Sequence, residues 1–372
     1  MNPASVSDYQ RLAKARLPRV LSDYIEGGSY DEITLGRNRS DFAAVQLRQR
    51  VLRDVSSISL STTIFGQSFS MPLLLAPVGL GGMYARRGEV QAARAAQAAG
   101  VGFCLSTMGV CAIDEVSTAA TPPWFQLYMM KDRGYVAELL ARATAANCPA
   151  LVLTVDLPRP GARYRDARSG MFSAWRVGLD AMLHPRWLYD VYLRGRPHVL
   201  GNLAPVLPDA HGVSDFWAWI QANFDPAISW RDLEWVRERW SGPLILKGIL
   251  DVEDARLAAA SGVDAIVVSN HGGRQLDSVA SSISALPSIA DAVGDQMAIL
   301  MDGGVRSGLD IVKALASGAR ACLIGRAWAW AVAARGEAGV EHMLQIIHDE
   351  MMIAMTLTGF TDVTKLDRSA LA

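Results

Sequence analysis

Eight short apolar runs punctuate this chain: Leu73–Ala76, Val101–Leu105, Trp124–Tyr128, Leu151–Val155, Leu244–Lys247, Ala265–Val268, Ala298–Met301 and Ala321–Ile324. Each is only four or five residues long and rich in Leu, Ile, Val or aromatics, the signature of a strand buried on both faces. The segments between them, such as Glu89–Ala99, Asp132–Ala146, Asp251–Ala260 and Gly308–Ala316, are Ala-rich and carry a helical period. Strands alternating with helices predict parallel βαβ units. Eight such units are the number that closes a (β/α)8 TIM barrel, an α/β fold whose active site lies at the C-terminal ends of the strands. An open doubly wound sheet would call for GxGxxG after its first strand, and that motif is absent here. The pattern predicts one domain over 1–372, with an N-terminal helical segment, a barrel over about 72–330 and a long insertion after the fourth strand, at about 158–241.

Composition narrows the class without changing it. The 372 residues are 51% hydrophobic and 20% charged, which describes a globular protein with a large core. A net charge of −1 gives no argument for nucleic acid as a partner. Cys104, Cys111, Cys148 and Cys322 lack CxxC spacing, and three lie in or beside apolar runs, so they read as small core residues of a reducing compartment. The first nineteen residues carry charges throughout and do not read as a signal peptide. No stretch reaches the ~20 apolar residues of a transmembrane helix. The expected location is cytoplasmic.

Polar residues or glycines follow every strand. They are Pro77-Val78-Gly79, Ser106-Thr107, Gln126 with Tyr128, Thr154 with Asp156, Lys247, Ser269 through Arg274, Asp302-Gly303-Gly304-Val305-Arg306, and Gly325-Arg326. Eight such ends predict convergence on one large site. Ser269-Asn270-His271-Gly272-Gly273-Arg274-Gln275-Leu276-Asp277 is the most informative of them. It offers an imidazole able to move a proton near neutral pH, and a guanidinium whose fork matches a carboxylate. Alone, the segment reads equally as a capped strand with a surface His and Arg. The glycines and arginines after strands seven and eight suit a phosphate, because backbone N–H groups, a helix N-terminus and bidentate donors would meet there. A phosphate site within a wide polar ring suggests a phosphorylated cofactor beside a small substrate.

Together, SNHGGRQLD, Lys247-Gly248, Thr154-Val155-Asp156, Gln126-Leu127-Tyr128 and Asp302-Gly303-Gly304-Val305-Arg306 resemble the FMN-dependent α-hydroxy-acid dehydrogenases and oxidases, over about residues 9–359. Ala76-Pro77-Val78-Gly79-Leu80, Pro160-Gly161-Ala162-Arg163-Tyr164-Arg165-Asp166 and Asn223-Phe224-Asp225-Pro226 resemble the bacterial quinone-linked L-lactate dehydrogenase branch. The resemblance implies FMN as cofactor, with His271 as proton acceptor and Asp156 stabilising its imidazolium. It implies that Arg274 and Tyr24 hold the substrate carboxylate, that Arg163 assists from a loop, and that Tyr128 bonds the hydroxyl. Without the resemblance, Tyr24 would read as a packing aromatic and Arg163 as a solvated loop charge. It further implies that Lys247 lies near the pyrimidine edge of the flavin, and that Ser106, Gln126 and Thr154 bond the ring. Pro77, Val78 and Gly79 would lie against the flavin face. Asp302, Gly303, Gly304, Arg306, Gly325 and Arg326, with Ser269 nearby, would complete the cofactor site. No metal is implied. Two positions depart from the wider family: Met108 replaces an aromatic residue of the oxidases, and Gly79 stands where many relatives carry Ala.

Seven of the ten tryptophans fall between residues 171 and 240, and Arg163 to Arg196 holds seven arginines against three aspartates. Aromatic residues interleaved with arginine suit an anionic membrane interface. A lid packed by its own tryptophans is the equal alternative. The expected function is FMN-dependent oxidation of an L-2-hydroxy acid, L-lactate to pyruvate above others, by a homotetramer docked peripherally on the cytoplasmic side of the inner membrane and passing electrons to quinone. The alternatives are a hydroxy-acid oxidase using dioxygen, a relative acting on mandelate- or glycolate-like acids, and a non-catalytic FMN-binding barrel.

Overall fold

The computed structural model describes residues 2–170, 174–207 and 213–372; for 174–177 and 213–217 it describes the backbone alone. Eight parallel strands form a closed barrel: β1 (Leu73–Leu75), β2 (Gly102–Ser106), β3 (Trp124–Tyr128), β4 (Leu151–Thr154), β5 (Leu244–Ile249), β6 (Ala265–Val268), β7 (Ala298–Met301) and β8 (Ala321–Ile324). Each pairs with its neighbour in sequence, and β8 pairs with β1 to close the ring. The expected strands and the four quoted helices all form, with ends shifted by a residue or two. A single turn of helix at Gly81–Tyr84 adds to the Pro- and Gly-rich stretch after β1.

Side chains alternate across each strand, so every second residue points into the barrel. Leu74, Cys104, Trp124, Val152, Ile245, Val267, Leu300 and Leu323 form an interior core distinct from the outer one. A hairpin of Thr62–Ile64 and Gln67–Phe69 plugs its lower end, and Ile64 and Phe69 pack into that core. The outer faces meet the helices in a second, larger core. All four cysteines are buried and unpaired, as small core residues.

The N-terminal helices Val6–Arg16, Arg19–Glu26 and Ile33–Ala44 lie beside the barrel. Tyr9 ties the first of them to the long C-terminal helix Arg326–Thr358 through a 2.8 Å bond with His342 Nδ1. Asn38 fixes the third to the end of β6 by a double amide exchange with Asn270, at 2.9 and 2.7 Å. Gly304, at φ +92°, lies so close beneath this helix that a Cβ would meet Asn38 O at 1.9 Å. Here glycine is demanded by packing.

Between β4 and β5 lies the insertion, which holds the helices Tyr164–Ser169, Ala174–Met182, Val213–Asn223 and Asp232–Arg237. Among its described side chains, the tryptophans turn toward the core, as in the alternative of a segment packed by its own tryptophans. Trp187 and Trp240 are buried, and Trp219, Trp230 and Trp235 pack partly buried against the core. The side chains of Trp175, Arg176 and Trp217 lie outside the described residues. The exposed apolar residues described in the insertion include instead Leu179, Met182, Leu183, Tyr189, Tyr192 and Leu193.

Asn38→Ala removes both amide bonds and leaves the buried Asn270 amide under-satisfied, so it is expected to cost about 1–3 kcal/mol. The expected outcome is a lower thermal midpoint, whereas Ser40→Ala on the exposed face of the same helix leaves it unchanged.

Candidate active site

The inward-facing register that builds the apolar core continues upward, and there it turns polar. Ser106 follows Cys104, Gln126 and Tyr128 follow Trp124, and Thr154 and Asp156 follow Val152. Lys247 follows Ile245, Ser269 follows Val267, Asp302 follows Leu300 and Gly325 follows Leu323. One cleft results, lined by residues from all eight strand ends, among them Pro77, Val78, Gly79, Arg163, Gly303, Gly304, Arg306 and Arg326. Tyr24 reaches the same cleft from the helix Arg19–Glu26. Asp156, Gln126 and Ser269 stand just behind its wall and touch residues that line it.

The loop after β6 gains its shape from three successive residues in the left-handed region: His271 at φ +58°, Gly272 at +65° and Gly273 at +75°. Two are glycines because Cβ-bearing residues resist that conformation, and histidine is among those that tolerate it. His271 Nδ1 lies 2.9 Å from Asp156 Oδ1. Burial pushes the imidazole below its ordinary pKa; Asp156 opposes this only in part, and Lys247 adds to the drop. Burial would raise the carboxyl of Asp156, but the charges of His271 and Lys247 outweigh it and hold it below its usual range. An ionised Asp156 only accepts, so Nδ1 carries the ring proton and Nε2 presents a lone pair. Asp156 fits against β5 because a bulge there places Gly248 at φ +111°, where a Cβ would meet the Asp156 side chain at 2.5 Å.

Lys247 is buried and held charged. Burial lowers its pKa, but Asp302, at 3.0 Å, and Asp156 more than offset it. Ser269 Oγ accepts from both Lys247 Nζ and the His271 amide, at 3.1 and 3.0 Å. Burial, with Asp156 adjacent, raises Tyr128, which therefore stays a hydroxyl donor.

On the far side, Arg274 donates to Tyr24 O and Gly27 O at 2.6 and 2.9 Å, and its guanidinium lies 4.8 Å from the Tyr24 ring centre. The Arg163 guanidinium is 5.6 Å from the same ring and 3.9 Å from the Asp166 carboxylate. Burial, then Arg274, lowers the Arg163 pKa. Arg163 is therefore no solvated loop charge.

Pattern reading overlooked several residues that hold this arrangement. Gln275 is buried and donates to Asp156 O and Arg159 O while accepting from Gly161 N, which staples the start of the insertion to the His271 loop. The buried hydroxyl of Tyr84 donates to Gly79 O at 2.7 Å. Ile220, from the insertion, lines the cleft. The inward register would have flagged the polar strand-end layer, but nothing local to the sequence marks Ile220.

The model of the FMN-dependent dehydrogenase family matches residues 13–372. The chain belongs to the FMN-dependent dehydrogenases. An L-lactate dehydrogenase of Caulobacter sp. (strain K31) is 59% identical, covering 99% of this chain and 98% of that protein. An L-lactate dehydrogenase of Xanthomonas campestris pv. campestris (strain 8004) is 57% identical, covering 99% and 97%. Among solved structures, a monotopic membrane protein, (S)-mandelate dehydrogenase, superposes with a TM-score of 0.93 at 36% identity, covering all of both chains. A mandelate oxidase superposes with a TM-score of 0.86 at 37% identity, covering 100% of this chain and 98% of that one.

The cofactor of this dehydrogenase is FMN, and the residues present fit it at both ends. Gln126 Nε2 and Thr154 Oγ1 are buried without a hydrogen-bond partner at the ends of β3 and β4, as the polar edge of a flavin requires. Across the barrel, after β7, Asp302 Oδ1 and Arg306 Nε are equally unmatched. Burial, and then Arg39, pushes the Arg306 guanidinium down to about 10, and Asp310 opposes this only in part. The backbone of Gly325 caps the long helix beside it, where a phosphate would meet the positive end of the helix.

Arg306→Met keeps the bulk over Trp330 and removes the charge. It is expected to weaken FMN binding to the apoprotein by about 10- to 100-fold, the worth of a charge-assisted hydrogen bond, read by flavin fluorescence titration.

Proposed function

We propose that this chain oxidises L-lactate to pyruvate, with a membrane quinone as final electron acceptor. The reading is carried by one observation: a proton acceptor, His271 bonded to Asp156, shares a cleft with an arginine–tyrosine cluster and the unmatched polar atoms that fit FMN. L-lactate is favoured over other acids because relatives of 57–59% identity over nearly the whole chain bear the name L-lactate dehydrogenase.

FMN, when bound, supplies an acceptor for the two electrons of the oxidation. The protein's residues do the rest. Arg274 and Tyr24 hold the substrate carboxylate and Arg163 adds a second guanidinium, which requires the substrate to be an acid. Tyr128 donates to the oxygen on C2. Turning that C–OH into C=O removes two electrons and two protons: His271 Nε2 takes up one proton while Asp156 stabilises the imidazolium, and the two electrons with the other proton are what FMN would accept. Lys247 would hold a positive charge beside the flavin ring, which favours its taking up electrons. Ser106, Gln126 and Thr154 would bond the ring, and Pro77, Val78 and Gly79 would lie against it. Ser269 orients Lys247 and His271. Asp302, Gly303, Gly304, Arg306, Gly325 and Arg326 would hold the ribityl phosphate. Barrel and insertion act as one catalytic domain.

The quinone reading extends to a membrane surface. No helix among the described residues is long and apolar enough to cross a membrane. Met182, Leu183, Tyr189, Tyr192 and Leu193 are exposed beside the exposed Arg186, Arg194 and Arg196. Apolar side chains among arginines suit docking into an anionic leaflet, here on the cytoplasmic face of the inner membrane. We assign a homotetramer to the working enzyme; exposed Leu309, Ile353 and Leu357 offer an apolar face for self-association.

Anaerobic L-lactate is expected to bleach the flavin absorption of the purified holoenzyme; yellow protein that stays yellow would overturn the substrate. His271→Gln should lower dye-linked turnover by about 10²- to 10⁴-fold, the usual contribution of a positioned base. Because His271 must be neutral to accept a proton, kcat/KM falls as pH drops through its pKa. That acid limb is expected below the ordinary imidazole value of about 6.5. It should move lower still in Asp156→Asn, since only Asp156 opposes the effect of burial. A limb above the ordinary value would remove His271 as the base.

The intact protein is expected to co-sediment with phosphatidylglycerol vesicles and not with phosphatidylcholine vesicles. Met182→Glu/Leu183→Glu should abolish co-sedimentation while keeping flavin content and dye-linked turnover. Unchanged co-sedimentation of that variant would exclude this surface.

A further inference from the structure

C2 of a 2-hydroxy acid is tetrahedral, and the proposed site accounts for three of its four substituents. The carboxylate belongs to Arg274, Tyr24 and Arg163, the hydroxyl to Tyr128 and His271, and the hydrogen to the reaction. The side chain of the acid must face the remaining wall. The apolar residues that line the cleft include Met108, Leu157 and Ile220. Gly79 contributes space and no side chain; a Cβ there would lie 3.2 Å from Met108 Cβ and 3.6 Å from the Tyr24 hydroxyl.

Ile220 differs from the others because the insertion supplies it. It sits near the end of the helix Val213–Asn223, 5% exposed, and that end is pinned to the loop after β3. The Lys131 amide and Nζ donate to Asn223 O and Ala222 O at 2.8 and 2.5 Å, and the Asp225 amide donates to Met129 O at 3.2 Å. Arg133 grips Asp225 and Asp232 at 2.6 and 2.8 Å. Phe224 is buried and packs its ring 5.0 Å from that of Tyr128, the residue assigned to the hydroxyl. Ile220 is thus held in fixed register with the reacting end of the substrate.

We propose that Ile220 is a specificity-determining residue: it closes the side-chain end of the cleft, so that short aliphatic 2-hydroxy acids are accepted and longer or aryl ones rejected. This rests on the reading of the site as a 2-hydroxy-acid site. A buried branched side chain at the end of a rigid pocket discriminates by displaced volume, and one methylene in such a pocket is worth about 10- to 200-fold in kcat/KM.

The test uses the FMN-loaded full chain with a dye acceptor and compares kcat/KM for L-lactate with that for L-2-hydroxyhexanoate. Ile220→Ala is expected to raise the hexanoate-to-lactate ratio by about 10- to 200-fold. Ile220→Phe should lower that ratio. Should Ile220→Ala fail to fold, as judged by flavin content and melting, Ile220→Val removes a single methyl group and must still raise the ratio. A general packing role would depress both substrates alike, so an unchanged ratio in the variants overturns the proposal. Failure of the lactate reading would show separately, in the wild type, as another preferred acid; the ratio is then taken between that acid and its homologue three carbons longer.

Discussion

Arg326 is the constraint on which the site depends. It starts the long C-terminal helix at the end of β8, and its buried guanidinium reaches three backbone carbonyls: Ile25 O from Nε, Gly272 O from Nη1 and Gly27 O from Nη2, each at 2.9 Å. One side chain thereby joins the last strand, the His271 loop and the helix that carries Tyr24. Arg274 then bonds Tyr24 O and the same Gly27 O, so the N-terminal segment is held from two sides. A guanidinium has five N–H donors, and three are committed here. The remaining two suit a phosphate, so the fastening and the assigned cofactor role occupy the same group without conflict.

The arrangement concentrates positive charge. Burial drives the Arg326 guanidinium well below its ordinary pKa, and Arg274, Arg306 and Arg163 add to the drop. Asp166 is buried near Arg163, but burial raises its own pKa, so it is a reluctant counter-ion. Buried charge is costly unless paired. On the proposed reading, the two anions that would relieve it are the FMN phosphate and the substrate carboxylate. Selectivity for an acid would then follow from this imbalance more than from the contact of any one arginine. Ligands that bind only the folded state stabilise it, so cofactor binding and stability are coupled here.

Much of the barrel was legible because a parallel barrel writes itself in short strands buried on both faces, and β1 to β8 all do so. The polar strand ends were legible for the same geometric reason: they continue the inward register of Leu74, Trp124, Val152 and Ile245 past the apolar layer. What the pattern could not carry was any contact made between distant segments. Tyr24 looks like a packing aromatic until Arg274 is seen to lie 4.8 Å from its ring. Gly304 reads as a phosphate glycine, yet the carbonyl of Asn38 is what forbids a side chain there. The insertion was the least legible, because tryptophan count reports neither burial nor direction and left two readings open; Trp187, for example, turns inward and donates to Met83 O at 2.8 Å.

The insertion therefore divides into two physical parts. Its start is stapled to the His271 loop by Gln275 and its later helices to the loop after β3 by Lys131 and Arg133, so these residues inherit the rigidity of the barrel. The segment from Leu179 to Val199 instead leaves its leucines and tyrosines in solvent, with Arg194 and Arg196 lying over Tyr189 and Tyr192. A catalytic pocket tolerates little displacement of its walls, whereas an adhesive surface needs only exposed apolar area and charge. On the proposed readings, the wall lies on a pinned part of the insertion and the adhesive residues on its outer segment, so one insertion would serve both demands, since a change in Leu183 would not have to move Ile220.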